Sequence, residues 1–136
     1  MKRVVLDTSV IVSALLKPDG KSRRVFKIVL ENHKPLLSID QLAELEIVLQ
    51  KSKFEKFITL QDRFEILALL LDKGELVNVI SNTSICRDES DNKFLNLAVD
   101  GKADIIITRD PDLLILADEF SIRIANPEQF LTDLQS

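Results

Sequence analysis

Short apolar runs alternate with helix-patterned stretches along this chain, and that alternation constrains the fold more tightly than any single motif. The runs are "VVLD" at residues 4–7, "PLLSI" at 35–39, "ELVNVI" at 75–80, "DIIITRD" at 104–110 and "SIRIA" at 121–125. They are rich in β-branched residues and bounded by polar ones, the pattern of strands buried on both faces. Parallel strands require long crossovers, and the intervening segments are long enough to be helices that cover the sheet. The sequence therefore predicts an α/β fold of three layers, α/β/α, around a central, mostly parallel sheet of about five strands.

The helices are marked by spacing and by end signals. "TSVIVSALL" follows the first run, with Thr8 or Ser9 as cap, and "KPDG" closes it as a loop. Val25, Phe26, Val29 and Leu30 repeat at intervals of three and four in a helix ending near Asn32. Leu42, Leu45, Val48 and Leu49 form another stripe, capped by Ser38 or Asp40. Phe57, Leu60, Phe64, Leu67, Leu70 and Leu71 predict one or two helices over 54–72 that stop at Gly74. This stripe is assigned to the core, with a dimer surface as the alternative. A helix from Asp91 to about Asp100 ends at Gly101, and "PDLLILADE" and "NPEQFLTDL" each carry Pro at the first helical position.

The 136 residues show no repeat, linker or shift in composition, so one domain spanning residues 1–136 is expected. The apolar runs fall far short of the ~18–20 residues of a membrane span. The N-terminus has no signal-peptide pattern, and the expected location is the cytoplasm. Cys86 is the sole cysteine, which excludes an intramolecular disulfide and reads as a small, partly buried apolar residue. A net charge of −4 argues against nucleic-acid binding through the whole surface. Lys17, Lys21, Arg23, Arg24 and Lys27 nevertheless crowd one region, and Lys51, Lys53 and Lys56 another. By themselves these are solvated helix faces.

The chemistry lies in the carboxylates. Asp7 and Asp110 each end an apolar strand and precede a helix, and in a parallel sheet both strand ends lie on one edge, where ligands bind. Like charges brought together there repel unless a cation holds them. Asp91 at the first turn of a helix, with Asp88 three residues earlier, adds to the set. Glu44 sits one position off its helix's apolar stripe, facing inward or outward, whereas Glu46 is surface-like. Asp104 and Asp112 are ambiguous in the same way. Each acid alone reads as a helix cap, but two at strand ends with a third starting a helix exceed what capping needs. Such an all-oxygen set suits magnesium. Zinc favours His and Cys, and His33 and Cys86 each stand alone. The same isolation leaves no Ser/His/Asp or Cys/His set for nucleophilic catalysis.

With "VVLDTSVIVSALL", "SIDQLAELEIVLQKSKF", "DESDNKFLNLAVDGKADIIITRDPDLL" and a closing strand and helix in this order, the chain resembles the PIN domain family over essentially its whole length. Within that family it is similar to the VapC-related toxins of toxin–antitoxin systems. The resemblance implies a metal-dependent endoribonuclease that hydrolyses RNA phosphodiester bonds with a water activated by Mg²⁺ or Mn²⁺. It assigns catalysis to Asp7, Glu44, Asp91 and Asp110, with Glu46 as the alternative helix acid. Asp7, Asp91 and Asp110 bind the metal, and Ser9, Thr108, Asp88 and Asp112 support them. It turns Lys17, Lys21, Arg23, Arg24 and Lys27 into a track for RNA. Arg109, where many relatives carry glycine, contacts a phosphate or neutralises the acids. The implied partners are RNA, a cognate antitoxin and a second copy in a homodimer. Two rivals remain: a catalytically silent PIN-like scaffold, and a phospho-accepting Asp signalling domain. The second lacks the later acids it needs, since residue 9 is Ser9 and no acidic pair follows the first strand.

Overall fold

The computed structural model describes residues 1–134, so positions 135 and 136 of the expected domain lie outside the described residues. Five strands, β1 (Arg3–Leu6), β2 (Lys34–Leu37), β3 (Glu75–Leu76), β4 (Ile105–Ile107) and β5 (Arg123–Ala125), form one sheet in the order β3-β2-β1-β4-β5. Every neighbouring pair is parallel. The helices are α1 (Thr8–Leu16), α2 (Lys21–Asn32), α3 (Ile39–Leu49), α4 (Leu60–Lys73), α5 (Asn92–Asp100), α6 (Pro111–Leu114) and α7 (Pro127–Leu134), with 3₁₀ turns at Ser52–Phe54 and Glu89–Asp91. The three-layer parallel α/β architecture expected from the alternation is the one observed.

The period of two along the strands divides the core into halves. Val4, Leu6, Ile105 and Ile107 face one side, where Val10, Phe26, Leu45, Ile66 and Phe130 pack on them. Val5, Ile106 and Ile124 face the other, against Phe94, Leu95, Leu97 and Leu113. Chain order runs outward from β1 to β3 on one side and from β4 to β5 on the other. The switch in direction therefore falls between β1 and β4, which pair through Val4↔Ile105, Val5↔Ile106 and Leu6↔Ile107. The crevice beyond the carboxyl ends of these two strands is where such a sheet binds ligands.

End signals explain most boundaries. Ser38 caps α3 in a reciprocal box with Gln41, Thr59 does the same for α4 with Asp62, and Asn126 pairs likewise with Gln129 at the start of α7. Three expectations are corrected. Within residues 54–72 the expected helix is α4, which the Thr59 cap starts at Leu60. Of this stripe Leu70 is buried in the core and Leu67 packs against it, but Phe57, Leu60, Phe64 and Leu71 are exposed, so the assignment to the core holds at only two of the six positions. "ELVNVI" is a strand only at Glu75–Leu76, because beyond it the chain turns to the Asp100 carboxylate, which accepts from the amides of Ile80 and Ser81. "PDLLILADE" is helical only to Leu114. Among the described residues no helix is long and apolar enough to cross a membrane.

Gly74 joins α4 to β3 where the backbone passes close to its neighbours. A Cβ there would stand 2.7 Å from the Leu70 carbonyl oxygen, 2.9 Å from that of Pro35 and 2.8 Å from Leu37 Cδ1. Two of the three obstacles are main chain and cannot rotate away. Gly74→Ala is expected to lower stability by about 1–3 kcal/mol, seen as a lower denaturant midpoint; an unchanged midpoint would show that the junction yields freely.

Candidate metal centre

β1 delivers Asp7 to the crevice with its backbone N–H bonded to Ile107 O at 3.0 Å. Asp7 occupies the N-cap position of α1 without making a capping bond. Its Oδ2 instead accepts from Thr108 Oγ1 at 2.5 Å and from Ser9 Oγ at 2.9 Å. Thr108 is fully buried, and the same Oγ1 accepts from the Asp110 amide at 2.9 Å. One hydroxyl thus ties the two strand-end acids to each other. Asp110 caps α6 in the ordinary manner, its Oδ1 accepting from the Asp112 amide at 2.9 Å.

Asp91 reaches the same crevice from the 3₁₀ turn before α5. It is 5% exposed, and its Oδ2 is the one buried side-chain oxygen or nitrogen among the described residues with no hydrogen-bond partner. Burial, the adjacent Asp110 carboxyl and the charges of Asp7 and Asp88 push its carboxyl up to about 8. Asp7 is also held above the usual carboxylate range. Its burial outweighs the two hydroxyl bonds that act in the opposite sense, and Asp110 and Glu44 add repulsion.

Glu44, on α3, lines this cleft with Asp7, Ser9, Asp88, Asp91 and Asp110, whereas Glu46 is exposed. Both Glu44 oxygens are engaged: Oε2 accepts from Thr8 Oγ1 at 2.5 Å and Oε1 from Lys93 Nζ at 2.9 Å. Asp88 and Asp112 stand beside Asp91, with one carboxylate oxygen of each of the three within 4.8 Å of the others. Asp88 also accepts from the Ser90 amide and hydroxyl, and Asp112 pairs with Arg87 at 3.4 Å. Asp104 lies at the opposite end of β4, accepting from the Arg3 amide.

The donor set fits a hard divalent cation. It consists of carboxylate oxygens, includes a buried oxygen that nothing in the protein satisfies, and gathers like charges whose repulsion a cation relieves. Cys86 is not a competing soft ligand, since burial and the nearby acids, Asp91 first among them, raise its thiol to about 11.

Most of the basic residues are divided between two places. Lys17 lines the acidic cleft. Arg23, Arg24 and Lys27 line a separate groove beside α4 with Asp62 and Glu65, and Arg23 donates to Ala14 O. Lys21 is exposed near Glu128. Arg109 follows Thr108, but its side chain bonds Ser22 Oγ at 2.7 Å and pairs with Glu128 at 3.1 Å instead of turning to the acids. Lys93, Thr8, Ser22 and Glu128 are neighbours of the site that spacing alone did not indicate.

Known proteins share the fold. The backbone is similar to Rickettsia felis VapBC2, bound to a DNA fragment from its promoter, with a TM-score of 0.59 and 16% identity over 91% of this chain and 98% of that one. It is similar to FitAcB of Neisseria gonorrhoeae, with a TM-score of 0.58 and 20% identity over 92% and 98% of the two chains. In sequence, the uncharacterized protein MJ1680 of Methanocaldococcus jannaschii is 32% identical over 143 aligned positions, covering 98% of this chain and 92% of its relative. The PIN domain profile matches residues 3–112, a span that contains every acid of the cleft, and the chain therefore belongs to the PIN domain family.

Proposed function

We propose that the chain is a Mg²⁺- or Mn²⁺-dependent endoribonuclease and the toxin of a toxin–antitoxin pair. The observation that carries this reading is the unsatisfied Oδ2 of buried Asp91, set among acids whose mutual repulsion a cation relieves. Likeness to VapBC2 and FitAcB supports the toxin assignment. Asp7, Asp91 and Asp110 would hold the ion, together with Asp88 and Asp112, whose carboxylate oxygens gather within 4.8 Å of that of Asp91, and Glu44 would supply the fourth catalytic acid. Ser9 and Thr108 orient Asp7 by donating to one of its oxygens, which leaves the other oxygen for the ion. A divalent ion supplies a lowered pKa for bound water and positive charge against the scissile phosphate. Lys17 offers a cation to the RNA backbone at the cleft, and Lys21, Arg23, Arg24 and Lys27 extend that charge along α2. Arg109, occupied by Glu128, holds the loop after β4. The exposed Phe57, Leu60, Phe64 and Leu71 offer apolar surface for protein contact, with an antitoxin or a second copy.

Cleavage of a single-stranded RNA pool in Mn²⁺ or Mg²⁺ and in EDTA tests this reading. Wild-type cleavage is expected to require the metal, and Asp7→Asn and Asp110→Asn to lose about 100-fold or more in rate while staying folded. Cleavage indifferent to EDTA and to both substitutions would overturn it. Partner binding without any cleavage would favour the scaffold reading.

A further inference from the structure

Glu44 differs from the other acids of the cleft in having no open oxygen. Thr8 donates to one and Lys93 to the other. The Lys93–Glu44 pair is largely removed from solvent, with side chains 21% and 23% exposed. Desolvating two charges gives little net stability, so an ion pair placed in a cleft calls for another role. Lys93 also stands two residues after Asp91. One short segment thus presents both the acid with an orphaned oxygen and the cation that closes off Glu44. Among the described residues, Glu44 is the cleft-lining acid that a protein ammonium meets, at 2.9 Å.

We propose that Lys93 is the resident counter-cation of the cleft, holding Glu44 out of the ligand set so that the acids around Asp91 take a single divalent ion. This rests on the metal-dependent reading above. Lys93 is a positioning residue: it fixes Glu44, and through Thr8 the start of α1 beside Asp7. Its ammonium lies 5.9 Å from the Phe94 ring, so Lys93→Met keeps the stem's packing and removes only the charge.

Titration of the full-length protein with Mn²⁺, followed by calorimetry and by the loss of the free-ion paramagnetic resonance signal, separates the outcomes. Wild type and Lys93→Arg are expected to bind about one equivalent and Lys93→Met about two. Lys93→Met combined with Glu44→Gln should return to about one. Glu44→Gln alone should keep one equivalent, a check that holds even should Lys93→Met fail to fold. Two equivalents in wild type, no gain in folded Lys93→Met, or loss of the single ion in Glu44→Gln would overturn the role of Lys93 and leave the nuclease reading standing. No Mn²⁺ binding by wild type at all would overturn both.

Discussion

In EDTA at about pH 8.5, Asp91→Asn is expected to be more stable than the wild-type protein by on the order of 3 kcal/mol, or roughly 10 °C in Tm. The sign follows from the direction of the shift. The folded state holds the Asp91 carboxyl up to about 8, above its ordinary value of 3.8. The folded chain therefore keeps a proton that the unfolded chain releases across that window. The stabilisation is complete below the unfolded value and is lost as pH rises through the folded one. Asn has no proton to lose, so the two proteins should converge below about pH 4 and separate as pH rises toward 8. Mn²⁺ acts on the same charge from the other side. It should raise the wild-type Tm more at high pH than at low pH, and should add little to Asp91→Asn. Comparing the two proteins at each pH cancels distant acids shifted in the opposite sense, such as Asp100 and Glu75, which are unchanged between them. A variant less stable than wild type in alkaline EDTA, or stabilised equally by Mn²⁺, would mean that Asp91 is not an uncompensated buried charge.

The strands were legible because parallel strands buried on both faces must be apolar throughout, as in the isoleucine run of β4. β3 was only partly legible: an edge strand with both residues exposed has no such requirement, and its apolar continuation is redirected by Asp100, 20 residues away from Ile80 in sequence. The α4 stripe shows the limit of periodicity. Spacing places Phe57, Leu60, Phe64 and Leu71 among apolar positions, but whether another layer covers them is a tertiary fact the pattern does not contain.

The acids of the site divide in the same way. Asp7 and Asp110 stand where any parallel sheet gathers its strand ends, so their convergence follows from topology. Asp91 was legible through the helix it begins. Glu44 over Glu46 is decided by which face of α3 meets α5, and the deciding contact, Lys93, comes from 49 residues away. Arg109 had two sequence-level roles, both directed at the cleft. The structure turns it to Glu128, 19 residues later in α7, where that carboxylate and the buried Ser22 hydroxyl both accept from its guanidinium.

Thr108→Val is expected to cost about 2–4 kcal/mol in folding and about 10–100-fold in Mn²⁺ affinity. Valine matches the shape and β-branching of threonine at the end of β4, so the strand should persist and the loss isolates the hydroxyl. That hydroxyl has two duties: it donates to Asp7 Oδ2 and accepts from the Asp110 amide. Without it the part-buried Asp110 N–H loses its acceptor, and Asp7 keeps only Ser9. Thr108 pulls the Asp7 carboxyl downward against its burial, so its removal should raise Asp7 further and let protons compete with the metal at neutral pH. The affinity loss should therefore be greater at about pH 6 than at about pH 8. Thr108→Ser restores the donor and acceptor and gives up only a methyl group, about 1 kcal/mol. It should recover metal affinity without recovering full stability, a separation that a general loosening of the fold would not produce. Wild-type Mn²⁺ affinity in Thr108→Val would show that Asp7 and Asp110 find their places without the bridge between them.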